Sequence, residues 1–364
     1  MALYGRDEAH KELLKYVGDI SQLARVKPYR LVEGHEDQLL AVDMITGSGL
    51  EFTVLPGRGM DIAAARYNGS SLAWRSPTGD QHAAFYEPQD DGWLRSFAGG
   101  LLVTCGLTWM GASCEDEGRS LGLHGRASHL PATNVHWSGE WNSDDYVLSV
   151  TGKVRESLVF GENVQLTRTI RAKMGESRLF IEDRVENLGY QRTPHMILYH
   201  INVGFPVLDE HARFLAPSKR AIPRDPDAEE GIVDWHRMQP PTPGYKAQVF
   251  FHEMEAEADG SVTTAVVNGG RAEGNLMGVS VRYFPAELPC FTQWKMMDCG
   301  TYVVGMEPGN ARVMGRDIER SEGRLQYLEP GEERCYHLEI GVITQQSEID
   351  ELESITTKAA GQTL

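Results

Sequence analysis

Two neighbouring runs, Val164–Ile170 and Leu179–Val185, alternate apolar and polar residues with period two. Alternation of this kind sends apolar side chains to one face and suits a half-buried strand; it does not fit the 3.6-residue repeat of a helix. Lys173–Ser177, between them, has the composition of a turn. Similar short runs rich in β-branched and aromatic residues recur at Tyr146–Val154, Val279–Phe284, Phe291–Met297, Tyr302–Met306 and Cys335–Ile343. From about Leu40 onward the pattern therefore predicts an all-β protein, a large antiparallel β-sandwich.

The first thirty residues read differently. Leu13, Leu14 and Val17 fall at helical spacing among charged residues between Asp7 and Val17, which predicts a short amphipathic helix packed on the main body as an N-terminal extension. Ala216–Gly244 contains Pro217, Pro223, Pro226, Pro240, Pro241 and Pro243. That density excludes a central strand and predicts a surface excursion, one able to wall a side of a cleft. Strand-like runs of the same character lie on both sides of it, so it is not an interdomain linker. A length of 364 residues would by rule of thumb suit two domains at about 150 residues each, but large all-β sandwiches exceed that size as one unit. The expected division is an extension over 1–30, one sandwich domain over 31–350 and a tail over 351–364.

Asp and Glu number 52 against 35 Lys and Arg, a formal charge of -17, and no Lys/Arg-rich run interrupts that balance. Such a field repels phosphate backbones and anionic membranes, so neither nucleic acid nor membrane is an expected partner. No apolar stretch approaches the roughly 20 residues of a membrane span, and the N-terminus lacks the apolar core of a signal peptide; a cytoplasmic protein is expected. The five cysteines, Cys105, Cys114, Cys290, Cys299 and Cys335, are widely spaced without a Cys-x-x-Cys pair, the pattern of free thiols.

Polar residues able to do chemistry sit where strands end or Gly/Pro-rich loops begin. His124 and Arg126 lie in Gly122–Pro131, His200 in Ile197–Pro206, Glu307 just before Pro308 and Gly309, and Arg58 between Gly57 and Gly59. A histidine in an apolar strand is often a hydrogen-bonded core residue, and Arg58 could close a turn. A carboxylate on an apolar strand is harder to dismiss, because it costs several kcal/mol unless partnered or facing a polar cavity. Along Phe291–Met297, alternation puts Gln293 and Lys295 on one face and Trp294 on the other; Lys295 is either a snorkelling edge residue or a contact for an oxygen-rich or acidic ligand. His124, His200 and Glu307 could in principle form a His-His-Glu metal set.

In their order, these segments resemble the aldose 1-epimerase (galactose mutarotase) superfamily over nearly the whole chain after residue 30. The resemblance is carried by Leu55–Asn68, Leu123-His124-Gly125, Asn187-Leu188-Gly189 followed by His200-Ile201-Asn202, Glu307-Pro308, and Leu328-Glu329-Pro330-Gly331-Glu332. It implies a mutarotase sandwich in which His200 acts as general acid on the ring oxygen, Glu307 removes the anomeric proton, and His124 helps fix the sugar, with no metal or organic cofactor. Arg126, Arg58, Gln293 and Lys295 are the further expected sugar contacts. The chain departs from the better-known hexose mutarotases in that neither their Asn-Arg pair before the Leu-His-Gly element nor the aspartate of their excursion is matched cleanly. Two other readings stay open on this scaffold: a catalytically silent sugar-binding protein, and a metal-assisted sugar isomerase or lyase.

Overall fold

The computed structural model describes residues 2–3, 6–7, 10–270 and 276–361. Its centre is an eight-stranded antiparallel sheet in the order Thr133–Asn142, Asp145–Ser157, Asn163–Lys173, Arg178–Asn187, Glu333–Ile343, Met277–Tyr283, Val262–Asn268, Arg213–Leu215. Each alternating run extends into a strand slightly longer than its apolar pattern, because the flanking polar residues still pair: Asn163 lies opposite Ser157, and Arg178 opposite Gly341.

A second sheet runs in the order Ser218–Pro223, Gln248–Met254, Cys290–Asp298, Thr301–Gly309, Thr193–Val203, Gln326–Leu328, with Val103–Leu107 also paired to Thr193–Val203. Its two faces are both covered. Ile197, Tyr199, Ile201, Val304, Met306 and Phe291 enter the main core shared with the eight-stranded sheet. Met196, Leu198, Val303, Val249 and Phe251 face the other way, into a smaller cluster with Trp74, Trp93, Phe97 and Trp109. A strand apolar on both faces reads as a continuous run, which is why Met196–Val203 shows no alternation. A third sheet, Arg25–Arg30, Leu40–Ile45, Leu50–Leu55, Asp61–Tyr67 and Ser70–Ser71, completes the body. The fold is the expected antiparallel β-sandwich with few helices.

The chain ends are more closely tied to this body than the sequence suggested. The expected helix over Asp7–Val17 is a single α-turn at His10–Leu13 followed by a 3₁₀ turn at Leu14–Tyr16, with residues 8–9 outside the described residues. Leu3, Leu13, Leu23 and Ala24 are buried in the main core, and Arg25–Arg30 is a paired strand. At the other end, Gln346–Gly361 forms a helix that seals Ile349 and Leu352 against Leu215, Ala265, Val267 and Ile343; residues 362–364 of the expected tail lie outside the described residues. In the excursion, Ser218–Pro223 adopts the edge position that its proline permits.

The core also contains a buried ionic knot. Arg168 and Asp183 stand opposite each other on adjacent strands at inward-facing positions of their alternating runs. The Arg168 guanidinium donates to Asp183 (2.6 and 2.9 Å), to Asp61 (3.2 Å) and to the Thr104 hydroxyl (2.7 Å), and Tyr199 Oη donates to Asp183 at 2.7 Å. Each charge buried here is both paired and hydrogen-bonded, the condition under which burial is tolerated.

Candidate active site

His200 and Glu307 come from neighbouring strands of the second sheet. The pairs Leu198 with Gly309 and Ile201 with Met306 fix the register and set His200 opposite Glu307 on the face that bears the smaller aromatic cluster. Their side chains meet, with His200 Nε2 3.2 Å from Glu307 Oε1, and both residues are buried, at 5% and 2% exposure. The approach is not aligned as a hydrogen bond, and Glu307 Oε1 and His200 Nδ1 both lack a hydrogen-bond partner. Burial pushes Glu307 up to about 8 and His200 down to about 3, because a low-dielectric site disfavours both charged forms. Thr292, directly opposite Glu307 on the next strand, adds a buried hydroxyl that is likewise unpartnered.

His124 reaches the same place from the loop after Arg119–Leu121. Its backbone is left-handed (φ +58°), and Gly125 follows at φ +75°. A Cβ at Gly125 would stand 2.3 Å from the Trp109 carbonyl oxygen, so the element needs glycine there. Backbone bonds from His124 N to Gly111 O (2.8 Å), Gly106 N to His124 O (3.0 Å) and Arg126 N to Gly106 O (2.9 Å) lock the loop. The imidazole is held edge-on to His200 at 6.0 Å between ring centres and packs on Trp93 at 4.8 Å. His124 Nδ1 has no partner, and burial, assisted by the nearby charge of Arg224, lowers its pKa to about 4. Phe97 and Trp294 flank His200 at 5.5 and 5.4 Å, and Trp74 packs on both. Unpartnered donors and acceptors within an aromatic frame suit a ligand that has apolar C–H faces and a hydroxyl edge.

The structure does not bring all the expected residues together here. Arg58 is buried with its guanidinium spent on the carbonyls of Ser128, Gln81 and Ser96 and on His129 Nε2; it ties loops together behind Trp93. Gln293 and Lys295 lie on the opposite face of their strand from Thr292 and Trp294. Gln293 donates to Trp235 O and contacts His252, and Lys295 donates to Asp234 O. The alternation was read correctly, but the face turned to His200 and Glu307 is that of Trp294. Arg126 keeps a buried, unpartnered Nε, and its charge is felt at Tyr86 and Glu156. Sequence reasoning missed Thr292, Arg224 and the aromatic frame; Thr292 was detectable as the residue sharing a strand face with Trp294.

Gly305 precedes Glu307 by two residues on the same face. A Cβ there would fall 2.4 Å from Glu307 Oε1 and 3.1 Å from the Trp294 side chain. Because the nearest atom belongs to the end of a flexible side chain, Gly305→Ala should fold, turn the carboxyl away from His200 and alter the reactivity of the pair. A crystal structure of the variant with the carboxyl still 3.2 Å from His200 would contradict this.

Among the described residues, no group of three or more His, Cys, Asp and Glu side chains is placed to hold a metal ion. A family profile described as Domain of unknown function (DUF4432) matches residues 38–342. The chain belongs to this family. A search of curated proteins found no match. Among solved structures, this DUF4432 member is similar to a candidate aldose 1-epimerase from Klebsiella pneumoniae subsp. pneumoniae, with 28% identity, TM-score 0.88, and coverage of 95% of this chain and 91% of that one. Two more distant likenesses, each at 12% identity, speak to the DUF4432 fold alone. One is a galactose mutarotase-like protein from Clostridium acetobutylicum (TM-score 0.62, covering 89% and 100%), and the other is galactose 1-epimerase from Lactobacillus acidophilus (TM-score 0.53, covering 89% and 100%). The fold of this DUF4432 chain is galactose mutarotase-like, as its motifs implied.

Proposed function

We propose that this chain interconverts the anomers of a sugar by acid/base opening and reclosure of the ring, with His200 and Glu307 as the proton-transferring pair. The observation that carries this reading is their buried 3.2 Å approach with unpartnered polar atoms on both. Mutarotation removes a proton from the anomeric hydroxyl and delivers one to the ring oxygen, and these two oxygens are bonded to the same carbon. An acid and a base in contact with each other are therefore suitably spaced to serve them together. A binding protein would need hydroxyl partners and aromatic platforms, which are present, but not an opposed acid and base.

The resemblance implied a protonated His200 and an ionised Glu307. Burial favours the other tautomer in the free site, neutral His200 with protonated Glu307, and the two arrangements hold the same number of protons. The reaction passes between them: one group donates to the ring oxygen as the other accepts from the anomeric hydroxyl, C1 rotates in the open aldehyde, and the reverse transfers close the ring. His124, with its free Nδ1, is placed to hold a sugar oxygen beside His200.

The pH dependence follows from the pair's single proton. Glu307 is raised to about 8, so the proton is retained below that pH and lost above it; His200, lowered to about 3, takes a second proton only in strong acid. Catalysed exchange, measured as NMR magnetisation transfer between anomer signals across a panel of aldoses and uronic acids, should show a kcat/KM plateau through neutrality. Above about pH 8 it should fall by about tenfold per unit, as expected for loss of one essential proton. A profile that kept rising past pH 9 after subtraction of the spontaneous rate would rule out this proton inventory, and the absence of catalysed exchange on every sugar would rule out the mutarotase reading.

A further inference from the structure

The register of the second sheet lines up one row of residues on the site face. His200 stands opposite Glu307, Glu307 is paired with Thr292, Thr292 with Phe251, and Phe251 with Ile222. Paired residues of antiparallel strands project to the same side, so this row is a track across the sheet. At one end is the proton-transferring pair. Next comes the Thr292 hydroxyl, 1% exposed and without a partner. At the other end the guanidinium of Arg312 lies over the Phe251 ring, 5.0 Å from its centre.

Arg312 is half-buried, and among the described residues no acid pairs with it. Most half-buried arginines of this chain are spoken for: Arg320 by Asp116 and Glu117, Arg324 by Glu319 and Glu322, Arg334 by Glu332. A second cation, Arg224, follows the edge strand that carries Ile222. It is ion-paired to its neighbour Asp225, yet its charge is felt at both His124 and Glu307. In a protein of charge -17, two cations at the same end of a neutral pair set a local field opposite to the global one, which would favour entry of an anion. Strands are spaced by about 4.8 Å, so Phe251 lies roughly 10 Å along the sheet from Glu307. One pyranose ring and the reach of an arginine side chain span that interval.

We propose that the substrate is an anionic sugar, its anomeric carbon at His200 and Glu307, a ring hydroxyl on Thr292, and its negatively charged substituent, remote from C1, held by Arg312 in the field of Arg224. This inference rests on the sugar site proposed above and specifies which class of sugar it takes. A carboxylate and a phosphate monoester share the required chemistry, since either accepts two parallel hydrogen bonds from a guanidinium.

The test measures binding and turnover separately. Calorimetric titration and NMR anomer exchange would be run with glucose, galactose, glucuronate, galacturonate and glucose 6-phosphate, on the wild type, Arg312→Gln, Arg312→Lys and Thr292→Val. The wild type should prefer an anionic sugar to its neutral counterpart by 10-fold or more. Arg312→Gln should weaken binding of that anionic sugar by about 10- to 100-fold, the range for a charge-assisted contact, and Arg312→Lys should restore part of it. Uronates preferred over the phosphate would identify the anion as a carboxylate, and the opposite order as a phosphate. Anion preference with Arg312 dependence but without anomer exchange would sink mutarotation and leave this inference standing. Efficient exchange on neutral hexoses with no anionic preference, or a preference unchanged in Arg312→Gln, would overturn it and leave mutarotation intact.

Discussion

His200→Asn and Glu307→Gln should each reduce catalysed anomer exchange by about 10² to 10⁴-fold while leaving the thermal unfolding transition in place. Both replacements keep approximate shape and some hydrogen-bonding capacity in a site where burial favours the neutral forms of His200 and Glu307, so neither should strand a charge. What they lose is the ability to pass a proton, a loss that belongs to the transition state and should appear in kcat more than in sugar affinity. The double variant should be little worse than either single one, because two groups acting on one proton-transfer event work as a unit. Full exchange in either single variant, on a sugar the wild type turns over, would refute the assignment. Loss of a stoichiometric bound metal together with activity in both would favour metal-assisted chemistry instead.

Arg168→Met should be among the most destabilising single substitutions available in this chain. It removes the cation that accepts the charge of Asp183 and Asp61 at a point with no access to water. Breaking a buried pair from one side costs about 3–5 kcal/mol, which for a protein of this size lowers the melting temperature by about 4–7 °C. The double variant Arg168→Met, Asp183→Leu should recover much of that loss, since replacing both partners leaves fewer uncompensated charges. Calorimetric melting of the two variants checks this: equal melting temperatures in wild type and Arg168→Met would mean that the knot contributes nothing.

The strands were legible because period two survives in any sequence whose strands bury one face, and Asn163–Lys173 and Arg178–Asn187 contain the runs that predicted them. His200 and Glu307 were legible as polar residues where apolar ones were expected. Their partnership was not: it depends on pairing between strands about a hundred residues apart, and a shift of one residue would have turned Glu307 into the core. The same ignorance misplaced Gln293 and Lys295, whose shared face was read correctly but could not be assigned to the site or the interior without the neighbouring strand. Arg58 looked available because glycines flank it, although its guanidinium is consumed by carbonyls from three separate loops. Arg168 and Asp183 carried a signal that period two alone could expose: each interrupts the apolar face of its own run, and they do so at opposed positions.

The row across the second sheet runs from central strands to an edge, so the two tasks proposed for it would fall on different kinds of strand. His200 and Glu307 stand on Thr193–Val203 and Thr301–Gly309, strands held by neighbours on both sides, whereas Phe251 and Ile222 belong to Gln248–Met254 and the edge strand Ser218–Pro223. The edge continues into the proline-rich excursion, which bears Arg224 and can change in length or charge without disturbing a central ladder. On the proposed reading, such a scaffold could exchange the sugar it takes by altering its rim while the His200 and Glu307 pair stays fixed, so relatives with the same pair should differ in substrate mainly through the residues between 218 and 254 and at position 312.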